Sequence, residues 1–314
     1  MELDDGVTPE VPSRTPRKAL RTVLVIVAVV IVSIGGVLVA GQLSRSSEAR
    51  DKLDRAIERL SAAEPAVLHV DAAVRSEITS SVVPAAADAL AAADGAQSDL
   101  DAALVLLDEA SPVLSNGDAV LASAVRQAVV ARRQMLFEAK TVLAADARAG
   151  AVLDASHEAW ALVAETGTLT VNAAAAYNKH TKAGVQASTK LSNDATAKLK
   201  TARSLLETVT AGFSEADMSS YRAYIDARLR LLDSSRKIDS TWLAGKIEDA
   251  NKLLDAYNAE EKKVVAQAKA LTTTPAGELA NAYEALTRDA IARYFDARDA
   301  ARAADEQVKA AATK

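Results

Sequence analysis

Few side chains in this sequence combine the residue type and spacing that chemistry requires. The three histidines, His69, His157 and His180, are widely separated, and the nearest carboxylate–histidine pair is Asp154-x-x-His157. A di-iron helical bundle needs two such motifs built with glutamate and two further glutamates, and no second copy occurs here. We interpret Asp154 and His157 as a solvated pair on a helix surface, because an isolated motif match is weak evidence for a site.

Other patterns that mark enzymes and cofactor sites are missing from the sequence. The chain has no cysteine, which excludes disulfides, cysteine nucleophiles and cysteine metal sites. It contains no H-E-x-x-H, no G-x-S-x-G, no phosphate-binding G-x-x-x-x-G-K and no EF-hand loop. We therefore predict no catalytic residue, no cofactor and no metal, and a protein that is not an enzyme.

The charged residues indicate solvated helix faces. The densest bases have acidic residues nearby in sequence, which is typical of exposed helices with partners one turn away. The net charge is −5 and no basic stripe is present, so we predict no binding to nucleic acid. The bases are Arg132, Arg133, Arg228 and Arg230, and the flanking acids are Glu138, Asp226 and Asp233.

Aromatic residues are concentrated toward the end of the chain. One interpretation is a bulkier core in that region, since aromatic side chains dominate burial where they occur. The alternative is a groove for a ligand or partner among the last helices. The residues concerned are Phe213, Tyr221, Tyr224, Trp242, Tyr257, Tyr283, Tyr294 and Phe295.

One apolar stretch near the N-terminus organises the rest of the chain. Residues 22–44, between Arg21 and Arg45, carry no charged side chain. A helix rises about 1.5 Å per residue, so this stretch reaches about 30 Å, the thickness of a bilayer core. We predict a single transmembrane helix at residues 20–43. The alternative is a signal peptide cleaved before Gly41, but the apolar run is longer than a signal peptide needs and bulky Leu38 disfavours the cut.

The bases around this segment predict its orientation. Arg17, Lys18 and Arg21 lie within five residues of the charge-free stretch at 22–44, against Arg45 alone on the far side. Positive charge favours the cytoplasmic flank. We predict a disordered cytoplasmic tail at residues 1–19 and an extracytoplasmic domain at residues 44–314. The absence of cysteine and the bias toward alanine, valine, aspartate and arginine are typical of a bacterial cell envelope.

The domain after the span is predicted to be all-α. Only 12 glycines and 7 prolines interrupt the chain, and apolar residues recur at steps of four and three. The clearest run extends from Leu243 to Leu271 as a heptad seam in which Glu261 is the only charged member, and it predicts coiled-coil-like packing with Leu254 buried. Ser214 followed by Asp217 predicts the capping box that starts this helix.

Breaks in the pattern define the organisation of the domain. They fall at Pro84, 112–117, Gly184, 212–213 and 272–275. The first two breaks and the next two are offset by about 100 residues, a spacing that resembles the spectrin-type three-helix repeat. The alternative is six helices folded as hairpins into one elongated bundle. At offset 99 the sequence aligns Leu100, Ala103 and Leu107 with Leu199, Ala202 and Leu206.

These features predict a location and an architecture more than an activity. We expect a single-pass membrane protein with a lipid-embedded segment at residues 20–43 and an extracytoplasmic helical scaffold that binds protein partners. The alternative is a sensory or ligand-binding ectodomain acting through a separate signalling partner, because the short tail cannot hold an output domain. The sequence does not specify an oligomeric state.

Overall fold

The computed structural model describes residues 44–313, and no strand occurs in that range. This confirms the prediction of an all-α helical bundle. The predicted tail at 1–19 and the predicted transmembrane helix at 20–43 lie outside the described residues. Within 44–313, no helix is long and apolar enough to cross a membrane. The helices are α1 (Ser44–Val74), α2 (Val82–Ala110), α3 (Asn116–Tyr177), α4 (Lys182–Gly212), α5 (Ser219–Leu243), α6 (Ile247–Ala270) and α7 (Pro275–Ala312), with a 3₁₀ turn at Ser111–Val113.

Several helices begin where a hydroxyl side chain satisfies a free backbone N–H of the first turn. Such N-caps replace hydrogen bonds that the helix itself cannot supply. In each case the side chain accepts from the residue three positions on. The pairs are Ser115 with Asp118 for α3, Thr181 with Gly184 for α4 and Thr274 with Gly277 for α7.

The seven helices form two bundles that share α3. The proximal bundle, which follows directly on residue 44, packs α1, α2, the first half of α3 and the second half of α7. The distal bundle packs the second half of α3 with α4, α5, α6 and the start of α7. Fully buried leucines lie at the centre of each: Leu53, Leu100, Leu107, Leu136 and Leu143 in the first, and Leu199 and Leu206 in the second.

Helix α3 sets the length of the part of the chain that the structure describes. Its 62 residues extend about 93 Å at 1.5 Å per residue. Helix α1 begins and α7 ends at the free end of the proximal bundle. The α3–α4 and α5–α6 connections meet at the opposite end, where Tyr177, Val185, Ile238 and Ala250 form a small core. We call this opposite end the distal tip.

A glycine permits the close approach of chain segments where the two bundles meet. The connection between α1 and α2 rests against α3 at Gly150. A Cβ at that position would lie 2.9 Å from the carbonyl oxygen of Thr79 and 2.7 Å from a methyl group of Val82. Glycine lowers helical propensity, but α3 is continuous through Gly150 and the glycine provides space for the neighbouring segment.

The single helix predicted from Ser214 to the break at 272–275 is two helices in the structure, α5 and α6. The chain turns between α5 and α6, where Gly245 adopts φ +77°, a left-handed conformation that glycine accommodates without strain. The predicted capping box does not form, because α5 begins at Ser219 and its backbone N–H donates to the carboxylate of Asp217 at 2.8 Å.

The seam keeps its predicted register only within α6. Ala250 and Val264 are buried, whereas Leu254 and Glu261 are half-buried and Leu243 is exposed. Helix α6 makes most of its contacts with α5 alone. Its apolar face is therefore covered from one side, which explains the partial exposure of Leu254.

Spectrin-like three-helix units are not what the fold contains. The proximal bundle draws its core from four helices, because the second half of α7 returns to complete it, and the distal core includes Val264 of α6 and Leu279 of α7 besides residues of α3, α4 and α5. The offset of 99 residues nevertheless aligns equivalent helices, since α2 and α4 each return alongside α3 and bury the matched leucines. Pro84 does not end a helix; α1 ends at Val74, and Pro84 lies in the first turn of α2, where its missing N–H costs little.

Candidate functional site

The strongest concentration of buried polar chemistry lies where α7 docks on α1 and α3. The buried face of α7 is mostly alanine, with Ala290, Ala297, Ala301 and Ala304 in the core. Besides Thr287, three polar side chains recur on this face at intervals of 11 residues, which is three helical turns and keeps them on one face. We call Tyr283, Tyr294 and Asp305 the α7 polar ladder.

Asp305 joins a buried ion-pair network. The Arg132 guanidinium donates from Nη1 and Nη2 to the two Asp305 oxygens at 2.9 and 3.0 Å, and from Nε to Glu64 at 2.9 Å. The Arg132 side chain is 6% exposed and that of Glu64 is 9% exposed. Burial lowers the pKa of Arg132, but the charge of Glu64 and the hydrogen bonds and charge of Asp305 outweigh it, and the pKa is raised.

Tyr294 makes the second contact of the ladder. Its hydroxyl donates to Asp71 of α1 at 2.7 Å, and Arg298 lies 2.9 Å from the same carboxylate oxygen. The Tyr294 ring is fully buried. Burial, and then the hydrogen bond to Asp71, raise the pKa of this tyrosine, so its hydroxyl remains a proton donor at neutral pH.

Tyr283 makes the third contact, near the junction of the bundles. Its hydroxyl donates to Asp146 of α3 at 2.6 Å. Burial raises the pKa of Asp146, and the hydrogen bond from Tyr283 offsets part of that rise. No cation lies within ion-pair distance of Asp146 among the described residues. This carboxylate is therefore desolvated with only a neutral partner, an arrangement that costs more than a hydrogen-bonded ion pair.

Glu138 of α3 is buried beside the ladder. Its Oε1 accepts from Gln134 at 2.6 Å and from Arg293 of α7 at 2.9 Å. Its other oxygen, Oε2, is buried and accepts no hydrogen bond from any described residue. Together with the ladder, this contact shows that directional polar interactions hold α7 to its neighbours in addition to apolar packing.

An open groove runs along the surface between α3 and α7, with a volume of about 820 Å³. Its floor is small and apolar, including Ala297 and Ala304. Its walls include Val130, Gln134 and Arg293. The dimensions suit a small ligand or a segment of another chain, because such sites combine an apolar surface with a few polar groups at the edge.

The structure does not bring the histidines together. His69 lies on α1, His157 on α3 and His180 in the α3–α4 connection, and all are exposed. Asp154 is exposed on α3 near His157, as the solvated-pair interpretation predicts. No group of three or more histidines, aspartates or glutamates within 44–313 could hold a metal ion.

The interpretation of the bases as surface charges is wrong for Arg132. This arginine and Glu138 are buried, and both reach across to α7 instead of pairing along α3. Arg133, by contrast, is partly exposed and lies 2.6 Å from Asp101 of α2. The predicted surface acids Asp226 and Asp233 pair with Arg203 and Arg236. Sequence reasoning missed Arg132 because its partners lie 68 and 173 residues away.

Most of the aromatic residues near the end of the chain belong to cores. Phe213, Tyr221 and Tyr294 are buried, and Tyr221 packs edge to face with Trp160 at 5.8 Å between ring centroids. The α3–α7 groove contains no aromatic side chain in its lining. The bulkier-core interpretation therefore accounts for most of these residues, and the 11-residue spacing of the ladder was the signal that could have identified Tyr283 and Tyr294 as contacts.

Comparison with known proteins adds no assignment. No family model, curated protein or solved structure matches this chain.

Proposed function

We propose that this protein is a single-pass, membrane-anchored spacer of a bacterial cell envelope that presents a protein-binding surface away from the bilayer. One observation carries the proposal: α3 runs the length of both bundles, so that residue 44 and the distal tip lie at opposite ends. The charge-free segment at residues 22–44 leads directly into α1 at the proximal end. The role requires no catalytic group.

The geometry fits a spacer in two respects. First, the 62 residues of α3 correspond to about 93 Å, whereas a compact domain of this size, with a radius of gyration of about 18 Å, would be only about 46 Å across. Second, α3 crosses the junction without a break, which resists bending between the bundles. The start of α1 at the base and two helix connections at the tip fit a protein anchored through the segment that precedes α1.

The length prediction is tested by imaging the full-length chain in lipid nanodiscs. Negative-stain micrographs should show a rod that projects about 90 Å from the disc. Rods that do not associate with discs would refute the anchor. A globular projection of about half that height would refute the spacer while leaving the anchor intact.

The orientation is tested with single cysteines, which the chain otherwise lacks. Asn258 is exposed on α6, and Ser13 lies in the predicted cytoplasmic tail. A membrane-impermeant maleimide added to wall-stripped intact cells should label Asn258→Cys and leave Ser13→Cys unlabelled until lysis. The opposite pattern would reverse the topology.

The α3–α7 groove favours a second function, a ligand-binding ectodomain that acts through a separate signalling partner. Ala300 lines the groove and is exposed, so Ala300→Trp should fill it without disturbing the core. Native mass spectrometry of the chain purified from its own membranes should then show a bound small molecule that the variant loses. A wild-type chain that carries no such molecule would argue against this function.

A further inference from the structure

The distal tip combines exposed apolar side chains with lysines that have no acidic partner. Leu243 ends α5 and Ile247 begins α6, and they are 39% and 45% exposed. The three residues between them form the α5–α6 connection. Trp242, beside Leu243, is half-buried against the small core of the tip. The two aliphatic residues therefore lie in solvent at the point farthest from the predicted membrane anchor.

Four lysines lie in or near the two connections of the tip. Lys179 lies in the α3–α4 connection, Lys182 is the first residue of α4, Lys246 lies in the α5–α6 connection, and Lys237 is on α5. All are exposed, and none forms an ion pair with a described residue, although ion pairs are frequent elsewhere in the bundles. Between Glu165 and Asp194 the sequence contains no acidic residue at all. The tip is thus locally basic in a chain whose net charge is −5.

Helix electrostatics do not account for these charges. A cation is favourable at a helix C-terminus and unfavourable at an N-terminus. Lys179 follows the end of α3 and is placed favourably. Lys182 is the first residue of α4 and Lys246 is the N-cap of α6, where a positive charge destabilises the helix. Helix stability therefore does not explain Lys182 and Lys246, two of the four lysines.

The acidic residues near the tip do not neutralise the positive charge of these lysines. Glu248 pairs with Lys252 along α6, and Asp249 is exposed in the same first turn, where the helix dipole favours it. Asp239 is buried and accepts a hydrogen bond from Thr189 at 3.0 Å. None of them lies within ion-pair distance of Lys179, Lys182 or Lys246.

We infer that the distal tip binds an acidic, amphipathic segment of a partner protein, with its apolar face on Leu243 and Ile247 and its carboxylates on the surrounding lysines. A central apolar contact with a charged rim is the usual composition of a protein interface. An anionic polymer would use the lysines but would gain nothing from the aliphatic residues. This inference rests on the proposed function and deepens it, because it names the class of partner that the tip of the spacer binds.

The test uses the full-length chain in nanodiscs of zwitterionic lipid, so that no anionic lipid competes for the lysines. The probe is a labelled synthetic helix with leucine on one face and glutamate on the other. Its affinity should weaken as salt is raised. It should fall by about tenfold or more in the triple variant Lys179→Gln/Lys182→Gln/Lys246→Gln, and by a similar factor in the separate variant Ile247→Ser. Both variants change exposed positions, and far-UV circular dichroism verifies their fold.

A matched control removes the same charge elsewhere. Lys200, Lys262 and Lys269 are exposed lysines without ion pairs, distant in sequence from the two connections of the tip. Their combined change to glutamine should leave probe binding as in wild type. Equal loss in this control would overturn the inference, because binding would then follow net charge alone.

Two further outcomes would also overturn it. One is the absence of probe binding by wild type. The other is tighter binding of inorganic polyphosphate that requires the lysines but not Ile247, which would identify an anionic polymer as the partner. Co-elution of the chain with the discs reports anchoring separately, so a failure of the proposed membrane attachment is distinguishable from a failure of the tip to bind.

Discussion

The buried network of Glu64, Arg132 and Asp305 gives the most demanding test of how α7 is held. In Arg132→Met, the aliphatic part of the side chain is kept and the charge is removed. The Glu64 side chain, which is 9% exposed, is then left without a cation, while the Asp305 side chain is 30% exposed and retains contact with water. Removing one partner of a buried ion pair costs about 3–5 kcal/mol.

The expected loss in the free energy of unfolding is measured by urea denaturation of the full-length chain in a mild detergent, with circular dichroism as the signal. For chains of roughly this size, 1 kcal/mol corresponds to about 2–4 °C in Tm, so the midpoint of thermal unfolding should fall by about 6–20 °C. The adjacent Arg133→Met is the matched control. The Arg133 side chain is 38% exposed and its partner Asp101 is 50% exposed, so the control should lose no more than about 1 kcal/mol.

A double variant separates charge from packing. In Glu64→Leu/Arg132→Met both buried charges are replaced by apolar groups of similar size, and such replacements are often neutral or stabilising. The double variant should therefore recover most of the loss, with a coupling energy of about 2–3 kcal/mol between the two sites. A loss below about 1 kcal/mol in Arg132→Met would refute the buried ion pair, and purely additive losses would show that packing, not charge, is responsible.

Three further predictions use the same unfolding measurement. In α3, Gly150→Ala should destabilise the protein, because the added Cβ would lie 2.9 Å from a backbone carbonyl oxygen. Gly167→Ala, whose Cβ would have nothing within 4 Å, should stabilise it by about 0.8–1 kcal/mol. The opposite order would contradict the close approach at the bundle junction. Burial raises the pKa of Asp146 above its usual value near 3.8, so the stability that its protonated form contributes is fully present below about pH 4 and is lost as pH rises through the raised pKa. The free energy of unfolding of Asp146→Asn, relative to that of wild type, should therefore increase between about pH 4 and 8. A difference that does not change with pH would contradict this prediction. Leu206→Ala, at a fully buried position, should cost about 2–5 kcal/mol, and Leu254→Ala, half-buried on α6, should cost less; equal losses would mean that α6 is more enclosed than its exposure indicates.

The sequence by itself determined the helical class and most of the helix boundaries. The scarcity of glycine and proline and the four-three spacing are local properties, and they placed the breaks near 112–117 and 272–275 correctly. The register of the seam was right from Ala250 to Leu271 for the same reason, since helical periodicity depends on neighbours three and four residues away. The predicted membrane anchor at 20–43 also rests on local hydropathy, and it stays a prediction.

Only the tertiary structure decided which helices pack together and which charges are buried. No local signal shows that α7 returns to complete the proximal bundle, because its polar ladder reaches partners on α1 and α3 that lie 137 to 223 residues away in the chain. The apolar pattern does not reveal the break at Gly245, because Leu243 and Ile247 continue the apolar spacing across it, although both are exposed at the tip. A periodic pattern records that a side chain is apolar, whereas its burial depends on whether another helix covers that face, and this is fixed by packing across the whole chain.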